Sequence, residues 1–585
     1  MTTMSTPHPH ITHDVFNQAP VRVDVNEYTS HVALVEGVTA FGGASAHDAL
    51  RDVGALVGSA GFQTDARRTQ RHEPVLHTHD RWGRRLDEVE YDPAYHRVIR
   101  DAVAAGAHLS TWADDRPGAA VARAATFLMF AQVEPGHACP ISMSHAAVAA
   151  IVDAPDIAAQ WLPRLSSREY EPALSADKPS ALFGMAMTEK QGGSDVRAGT
   201  TRAIAAGDGV YRLTGHKWFC SAPMSDAFLA LARVGDQPPS CFLVPRVLPG
   251  GERNVLRIQR LKDKLGNRSN ASSEVEFDDT LGMLIGAEGR GVRAIIEMVQ
   301  RTRLDCVLGT AAGMRQASAE ALWHARGRSA FGRLLVDQPA MSGVLADLVL
   351  ESEAAVLAGL RLAQCIEADA SGHDVALRRI ATPVLKYGIC KRGPQHAYEA
   401  LECLGGNGYT EDFPLAMRYR EQPVMAVWEG SGNVIALDVL RALARDADAG
   451  EAVLAELDAV KGASPALDAH VRDVRELIAE VSRADRDEAE RQARRLVETM
   501  STASRRRSWS DTPPASTPTR TSARGSGTAG PECTVCCREG RMLPRSSRAP
   551  DRAQRAAASC AASITCNRAR RRGWARAVKP RWAAT

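Results

Sequence analysis

Nowhere in the 585 residues do about 18 apolar side chains run together, the length a helix needs to cross a bilayer, so no membrane span is expected. The first residues, Met1-Thr2-Thr3-Met4-Ser5-Thr6-Pro7-His8, lack a basic stretch followed by an apolar one. No secretory leader is read there, and a cytoplasmic protein is expected. No strand-like run leads into a Gly-x-Gly-x-x-Gly turn, so the dinucleotide fingerprint is absent. Metal-ligand spacing is equally scarce. Cys533-x-x-Cys536-Cys537 is followed by no His or second pair at finger distance, and no metal site is expected. Seven other cysteines (139, 220, 241, 306, 365, 390, 403) stand alone among mostly apolar neighbours and read as buried thiols of a reduced cytosol.

Hydrophobic content of 44% and charged content of 24% are those of an ordinary globular protein, and the length calls for several packed units. A net charge of +3 hides a division. Residues 501–585 hold 17 Arg and one Lys against four acids, a local net of +14, which leaves −11 on the rest.

Along the chain the dominant period changes twice. Residues 1–13 read as a loose arm. From Val15 to about Ser180, apolar residues recur at helical spacing over Asn26–Ala40, His47–Ala60, Ala94–Gly106 and Arg116–Val133. Leu86–Pro93 reads as an extended connection into a helix, with Asp92 at the N-cap and Pro93 in the first turn. His137 and His145 read as packing or capping residues. From about Gly184 to Gly286 the period becomes two, cut by turns such as Gly207-Asp208-Gly209 and Pro249-Gly250-Gly251. Long helical patterns return from Gly289 to about Ala444, and a charged helical stretch covers Ala452–Met500. At Ser501 the pattern ends: Ser, Thr, Pro, Arg and Gly dominate, and Leu543 is the only Leu. Such a segment cannot offset its conformational entropy and is expected to be disordered. It reads either as a basic nucleic-acid arm or, more simply, as a shifted reading frame of a GC-rich gene.

The fold expected is α+β: a helical N-terminal domain (1–180), an inserted barrel-like β-sheet middle domain (181–286) and a C-terminal four-helix bundle (287–445). An extra helical region (446–500) and a disordered basic tail (501–585) follow.

Two stretches invite chemistry. Met185-Ala186-Met187-Thr188-Glu189-Lys190-Gln191-Gly192-Gly193-Ser194-Asp195 lies where helices give way to strands. Its small hydroxyl residues and paired glycines let backbone approach a flat, polar-edged ligand, although such a segment is most often only a turn. In Val427-Trp428-Glu429-Gly430-Ser431-Gly432-Asn433, a carboxylate sits between a large apolar neighbour and a glycine. Partial desolvation would raise its pKa toward that of a general base; a helix-cap carboxylate is the plainer reading.

These stretches, with Gly215-His216-Lys217-Trp218-Phe219, Arg328-x-x-Phe331-Gly332 and Leu404-Gly405-Gly406-Asn407-Gly408-Tyr409, resemble the acyl-CoA dehydrogenase superfamily. Within it the chain is similar to the AidB-type alkylation-response flavoproteins, a likeness that covers about Val15 to Ala444 and includes Cys139-Pro140-Ile141 and Leu261–Ser272. The resemblance implies FAD as cofactor. Met185, Met187, Thr188, Gly193 and Ser194 would line one side of the flavin, and Trp218, Phe219 and Ser221 the other. Val427, Gly430, Gly432 and Asn433 would close the site around Glu429, the implied base for α,β-dehydrogenation of an acyl-CoA. Arg328, Phe331, Gln338, Glu402, Gly405 and Gly406 would reach the adenylate half of FAD in a neighbouring subunit, implying a homotetramer. Glu402 stands where many members have Gln. A second implication is double-stranded DNA binding after the bundle, through Arg441, Arg491, Arg494 and Arg495; interleaved acids there read equally as a solvated helix face.

Overall fold

The computed structural model describes residues 12–510. Expectations for the first eleven residues and for 511–585, including Cys533–Cys537, lie outside them. The N-terminal part packs seven helices: α1 (Val32–Ala40), α2 (His47–Gly58), α3 (Ala60–Arg71), α4 (Pro93–Ala104), α5 (Ala119–Val133), α6 (Ala138–Ile151) and α7 (Pro155–Leu165). As expected, α4 starts on Asp92, whose carboxylate accepts from the Ala94 N–H, with Pro93 in the first turn. The segment before it is not merely extended. β1 (Val75–His79) and β2 (Arg85–Glu90) form an antiparallel hairpin. Only Val89 in it is buried, so no apolar alternation marked the strands in advance. His137 and His145 are both buried, and each ring bonds a backbone carbonyl, Glu134 O and Leu109 O respectively.

The middle part is a sheet of β3 (Phe183–Ala186), β4 (Arg202–Gly207), β5 (Val210–Ser221), β6 (Ala227–Val234), β7 (Ser240–Pro245), β8 (Leu256–Leu261) and β9 (Ser272–Ile285). The strands β6-β4-β5-β9-β7 close on themselves because β7 also pairs with β6. β3 lies along β6 in parallel register, Met185 opposite Leu229, and β8 lies along β9. Burial on both faces makes β3, β6 and β7 nearly continuous apolar runs instead of alternating ones.

The third part is built on α8 (Gly291–Gly327), one unbroken helix of 37 residues, about 55 Å long. The two-residue strands β10 (Ser329–Ala330) and β11 (Arg333–Leu334) follow, then α9 (Pro339–Gln364), α10 (Gly372–Glu402), α11 (Leu415–Val427) and α12 (Gly432–Arg445). α10 begins on a capping box of Ser371 and Asp374. The additional region is three helices, α13 (Ala447–Asp458), α14 (Pro465–Arg483) and α15 (Arg486–Ser510). Residue 501 is therefore not the end of order. α15 runs on to Ser510 and buries Ala493, Leu496, Val497, Met500 and Ala503, one apolar stripe that crosses the compositional break. The break was read from residue types, and the stripe continues through it on small ones.

Where α15 crosses α10, a Cβ added at Gly388 would lie 1.8 Å from Ser501 Oγ. Gly388→Val is expected to wedge the helices apart and lower stability by about 1–3 kcal/mol, read as an earlier urea midpoint. An unchanged midpoint would show that α15 is not docked there.

Candidate active site

The Met187–Ser194 segment leaves β3 at the edge of the barrel and is held by a residue inside it. Glu189, 2% exposed, turns its carboxylate inward. One oxygen accepts from the Thr201 N–H (3.0 Å), the Thr201 hydroxyl (2.6 Å) and the Lys217 ammonium (2.9 Å). The other accepts from Thr200 through N–H (2.7 Å) and hydroxyl (2.9 Å), and from Gln191 (2.8 Å). Burial alone would raise this carboxyl; the Lys217 charge and the hydrogen bonds overcome that and hold it far below its ordinary value. Lys217, 1% exposed, also donates to Leu231 O on β6. The Trp218 N–H donates to Thr188 O at 2.8 Å, so β5 grips the same segment from its other side. Gly193 folds back over Thr188 so closely that a Cβ there would stand 2.5 Å from the Thr188 hydroxyl. Only glycine fits. Beyond it Ser194 is exposed.

Met185, Met187, Ala222 and Trp428 share one apolar cluster, which ties this wall to the residue beside Glu429. Across the wall, Ser221 Oγ lies 3.1 Å from Ser272 Oγ, and Phe219 is 53% exposed. The Trp218 ring carries the Lys262 ammonium 3.1 Å from its centroid. Burial pushes the Cys139 thiol, on the first turn of α6, up to about 11, and it faces Ser221, Asn270, Lys264 and Glu429.

Glu429 lies between the end of α11 and the start of α12 in a left-handed conformation (φ 55°), strained for a residue with a Cβ. Its side chain is half-buried. Desolvation raises the carboxyl above its ordinary value, opposed by the Thr302 hydroxyl and by the Arg303 and Lys386 charges. Arg303 donates to Glu429 O (3.1 Å) and pairs with Asp438 (2.6 Å). Val427 beside it is 64% exposed, whereas Gly430 (φ 105°) and Gly432, which meets Lys391, admit the close turn into α12 at Asn433.

The second predicted set lies elsewhere. Arg328 is 26 residues along α8 from Thr302, roughly 40 Å away. Its guanidinium contacts Asn17 O (3.3 Å) and Gln18 Oε1 (3.2 Å). Gln338 donates to Ala330 O, and Glu402 accepts from Tyr398. The 3₁₀ turn Gly405–Tyr409, with Gly405 at φ 59°, follows Leu404, which shares an apolar cluster with this end of α8. Phe331 (99% exposed) and Tyr409 (85%) are uncovered. Thus Trp428 joins Met185 and Met187 in one apolar cluster and Trp218 bonds Thr188, whereas Arg328 lies at the far end of α8.

The arginines expected at DNA do not form a free patch. Arg491 pairs with Glu488 and Arg494 donates to the Tyr387 hydroxyl, while Arg441 and Arg495 are exposed on α12 and α15. The double-stranded-DNA reading is not supported. Glu189, Lys217, Arg303 and Lys386 had no role assigned from sequence. A signal existed for the last: Lys386 is the only charge between Ile380 and Cys390.

The wall fits a flat aromatic cofactor: Met185 is buried and Met187 half-buried behind the exposed Gly192 and Gly193, and Phe219 and Val427 are exposed apolar groups. Comparison with known proteins agrees. Residues 17–172 match the adaptive response protein AidB N-terminal domain, 184–280 the acyl-CoA dehydrogenase middle domain and 289–444 its C-terminal domain. The chain is 45% identical over 465 residues to the putative acyl-CoA dehydrogenase AidB of Escherichia coli (strain K12), spanning 79% of this chain and 86% of that one. It is 30% identical to acyl-CoA dehydrogenase family member 11 of Caenorhabditis elegans, over 64% and 63% of the two chains. The solved structure of C. elegans ACDH-11 in complex with C11-CoA superimposes with a TM-score of 0.79 at 25% identity, covering 87% of this chain and 92% of that one.

Removing one partner of a buried ion pair costs about 3–5 kcal/mol, the loss expected for Glu189→Ala at neutral pH. Because the folded carboxyl is depressed, its stabilisation is present above the ordinary pKa of 4.5 and drains away as pH falls below it toward the folded value. Unfolding free energy of wild type should therefore fall more steeply below about pH 4.5 than that of Glu189→Gln. Parallel profiles would mean that the carboxylate is not the pin.

Proposed function

Because the chain belongs to the AidB-type acyl-CoA dehydrogenase family, an FAD-dependent oxidoreductase family, we propose that it removes hydrogen from Cα and Cβ of an acyl-CoA with Glu429 as base. The observation that carries this is the position of Glu429: a half-buried, desolvated carboxylate in strained backbone, next to Trp428, which packs in one apolar cluster with Met185 and Met187. In this reading Met185, Met187, Thr188, Gly193 and Ser194 hold FAD from one side, Trp218, Phe219 and Ser221 from the other, and Val427, Gly430, Gly432 and Asn433 close the site. FAD, when bound, accepts the hydride that leaves Cβ. The residues supply the rest. Desolvation makes Glu429 basic enough to take the α-proton, and Thr302 and Arg303 hold it in place while the proton moves to its carboxylate. The apolar cluster of Met185, Met187 and Trp428 keeps water from the carbanionic carbon.

The second set belongs to the same reading. It comprises Arg328, Phe331, Gln338, Glu402, Gly405 and Gly406; Arg328, at the far end of α8, stands too far from Glu429 to serve its cofactor within one chain, and Phe331 and Tyr409 are uncovered apolar groups. They serve the adenylate half of FAD in a neighbouring subunit, which makes the working protein an oligomer, by family likeness a homotetramer. A cytoplasmic location accords with the seven free, buried cysteines among the described residues. The C11-CoA bound by the C. elegans relative makes medium-length acyl-CoAs the first substrates to try.

Glu429→Gln keeps the shape of the site and removes the base. It is expected to retain bound FAD, seen as an unchanged visible spectrum, and to lose dehydrogenation by a factor of about 10³ or more. Turnover near wild type would defeat the assignment of Glu429.

A further inference from the structure

Three successive carbonyls around the base are each held by a cation. Lys386 Nζ on α10 donates to Trp428 O at 2.9 Å and to Gly430 O, and Arg303 Nε on α8 donates to Glu429 O. The two cations are not equivalent. Arg303 is neutralised by Asp438 at 2.6 Å, itself 3.7 Å from Arg379. Lys386 is 1% exposed, and its hydrogen bonds go to two carbonyls and to no carboxylate among the described residues. An ammonium buried without a counter-charge is expensive, and a fold keeps one where it does something a neutral side chain could not. Its charge acts on the Glu429 carboxylate.

We propose, on the reading of Glu429 as the base, that Lys386 is a positioning residue of this site. Its ammonium locks the left-handed backbone at Trp428–Gly430 and is the otherwise unpaired positive charge that keeps the half-buried Glu429 carboxylate ionised. The groups that face Glu429 make this division of labour possible. From α8 come the Thr302 hydroxyl, Arg303 and the Cys306 thiol; from α6 comes the Cys139 thiol; from α10 comes Lys386. Both thiols stay neutral because burial raises them, Arg303 shares its charge with Asp438, and Lys386 adds to it a charge with no carboxylate hydrogen-bonded to it among the described residues. Desolvation and this charge pull on the carboxylate in opposite directions. Burial makes it a better base than a surface glutamate, and Lys386 stops it from becoming a neutral acid that cannot accept a proton.

The test uses the FAD-loaded protein and a 3-thia-acyl-CoA, in which sulfur replaces C3, so that no hydride can leave and only the proton step is read. Deuterium uptake at C2 in D₂O is followed against pD, together with amide exchange of peptides spanning Val427–Ile435. Wild type should exchange C2 with an acid limb set by the base, and Glu429→Gln should not exchange. Lys386→Gln, which keeps a donor for the carbonyls and removes the charge, should move the limb to higher pD by about one unit and leave loop protection within a few-fold. Lys386→Met should move the limb likewise and also speed exchange of the loop amides tenfold or more. An unmoved limb in Lys386→Gln overturns the charge role, and unchanged loop exchange in Lys386→Met overturns the clamp. Exchange at C2 that persists in Glu429→Gln removes the base reading itself, and the Lys386 proposal with it. Should Lys386→Met not fold, the limb of Lys386→Gln decides.

Discussion

The carboxylate of Glu189, buried with the Lys217 ammonium at 2.9 Å, is the interaction on which the rest of the site stands. A Gly-Gly-Ser segment has little stiffness of its own. Six hydrogen bonds converging on one buried carboxylate turn it into a fixed surface, and the pair ties that surface to β5 and, through Leu231 O, to β6. In water such a pair would contribute little; in the barrel interior it is stable because both carboxylate oxygens are fully hydrogen-bonded and the ammonium also donates to Leu231 O. Pre-organisation of this kind lets a wall meet a flat ligand without reordering when the ligand arrives.

A wall from the β part is useful only if the bundle brings a carboxylate to face it, and buried polar bonds between the parts fix that relation. Glu421 on α11 accepts from the backbone N–H (2.7 Å) and side-chain amide (2.9 Å) of Asn267, which precedes β9. Glu134, at the end of α5, accepts from the Ser269 hydroxyl at 2.7 Å. Arg123 on α5 makes a bidentate pair with Asp305 on α8. Each bond is directional and desolvated, so a slip of one part against another would strand a charge. The apolar cluster that spans Met185 and Trp428 supplies the contact; these bonds supply the register.

Much of this was legible in residue order. The changes of period marked the barrel to within a residue or two of β3 and β9, because hydrophobic pattern reports burial directly. The Met185–Ser194 and Trp428–Gly430 stretches could be picked out because glycine beside polar or acidic residues is a local signal. What stayed hidden was long-range. Glu189 and Lys217 are 28 residues apart, and nothing in either neighbourhood says that they meet inside a barrel. The β1–β2 hairpin buries too little to leave an alternating trace, and α15 crosses a break in composition with alanines and serines that no aliphatic count would register. Lys386 could have been noticed as a lone charge in an apolar helix, but its partners are backbone carbonyls, which carry no sequence signature at all.

The central claim is that a desolvated Glu429 and a cofactor wall 240 residues away in sequence form one dehydrogenation site. Anaerobic titration of the FAD-loaded protein with a panel of acyl-CoAs of graded length and branching tests it most directly. The account predicts that at least one member bleaches the visible flavin band in proportion to the thioester added, with the enoyl product recovered in equal amount. A band that no acyl-CoA in the panel bleaches, in protein that retains its FAD, would contradict it.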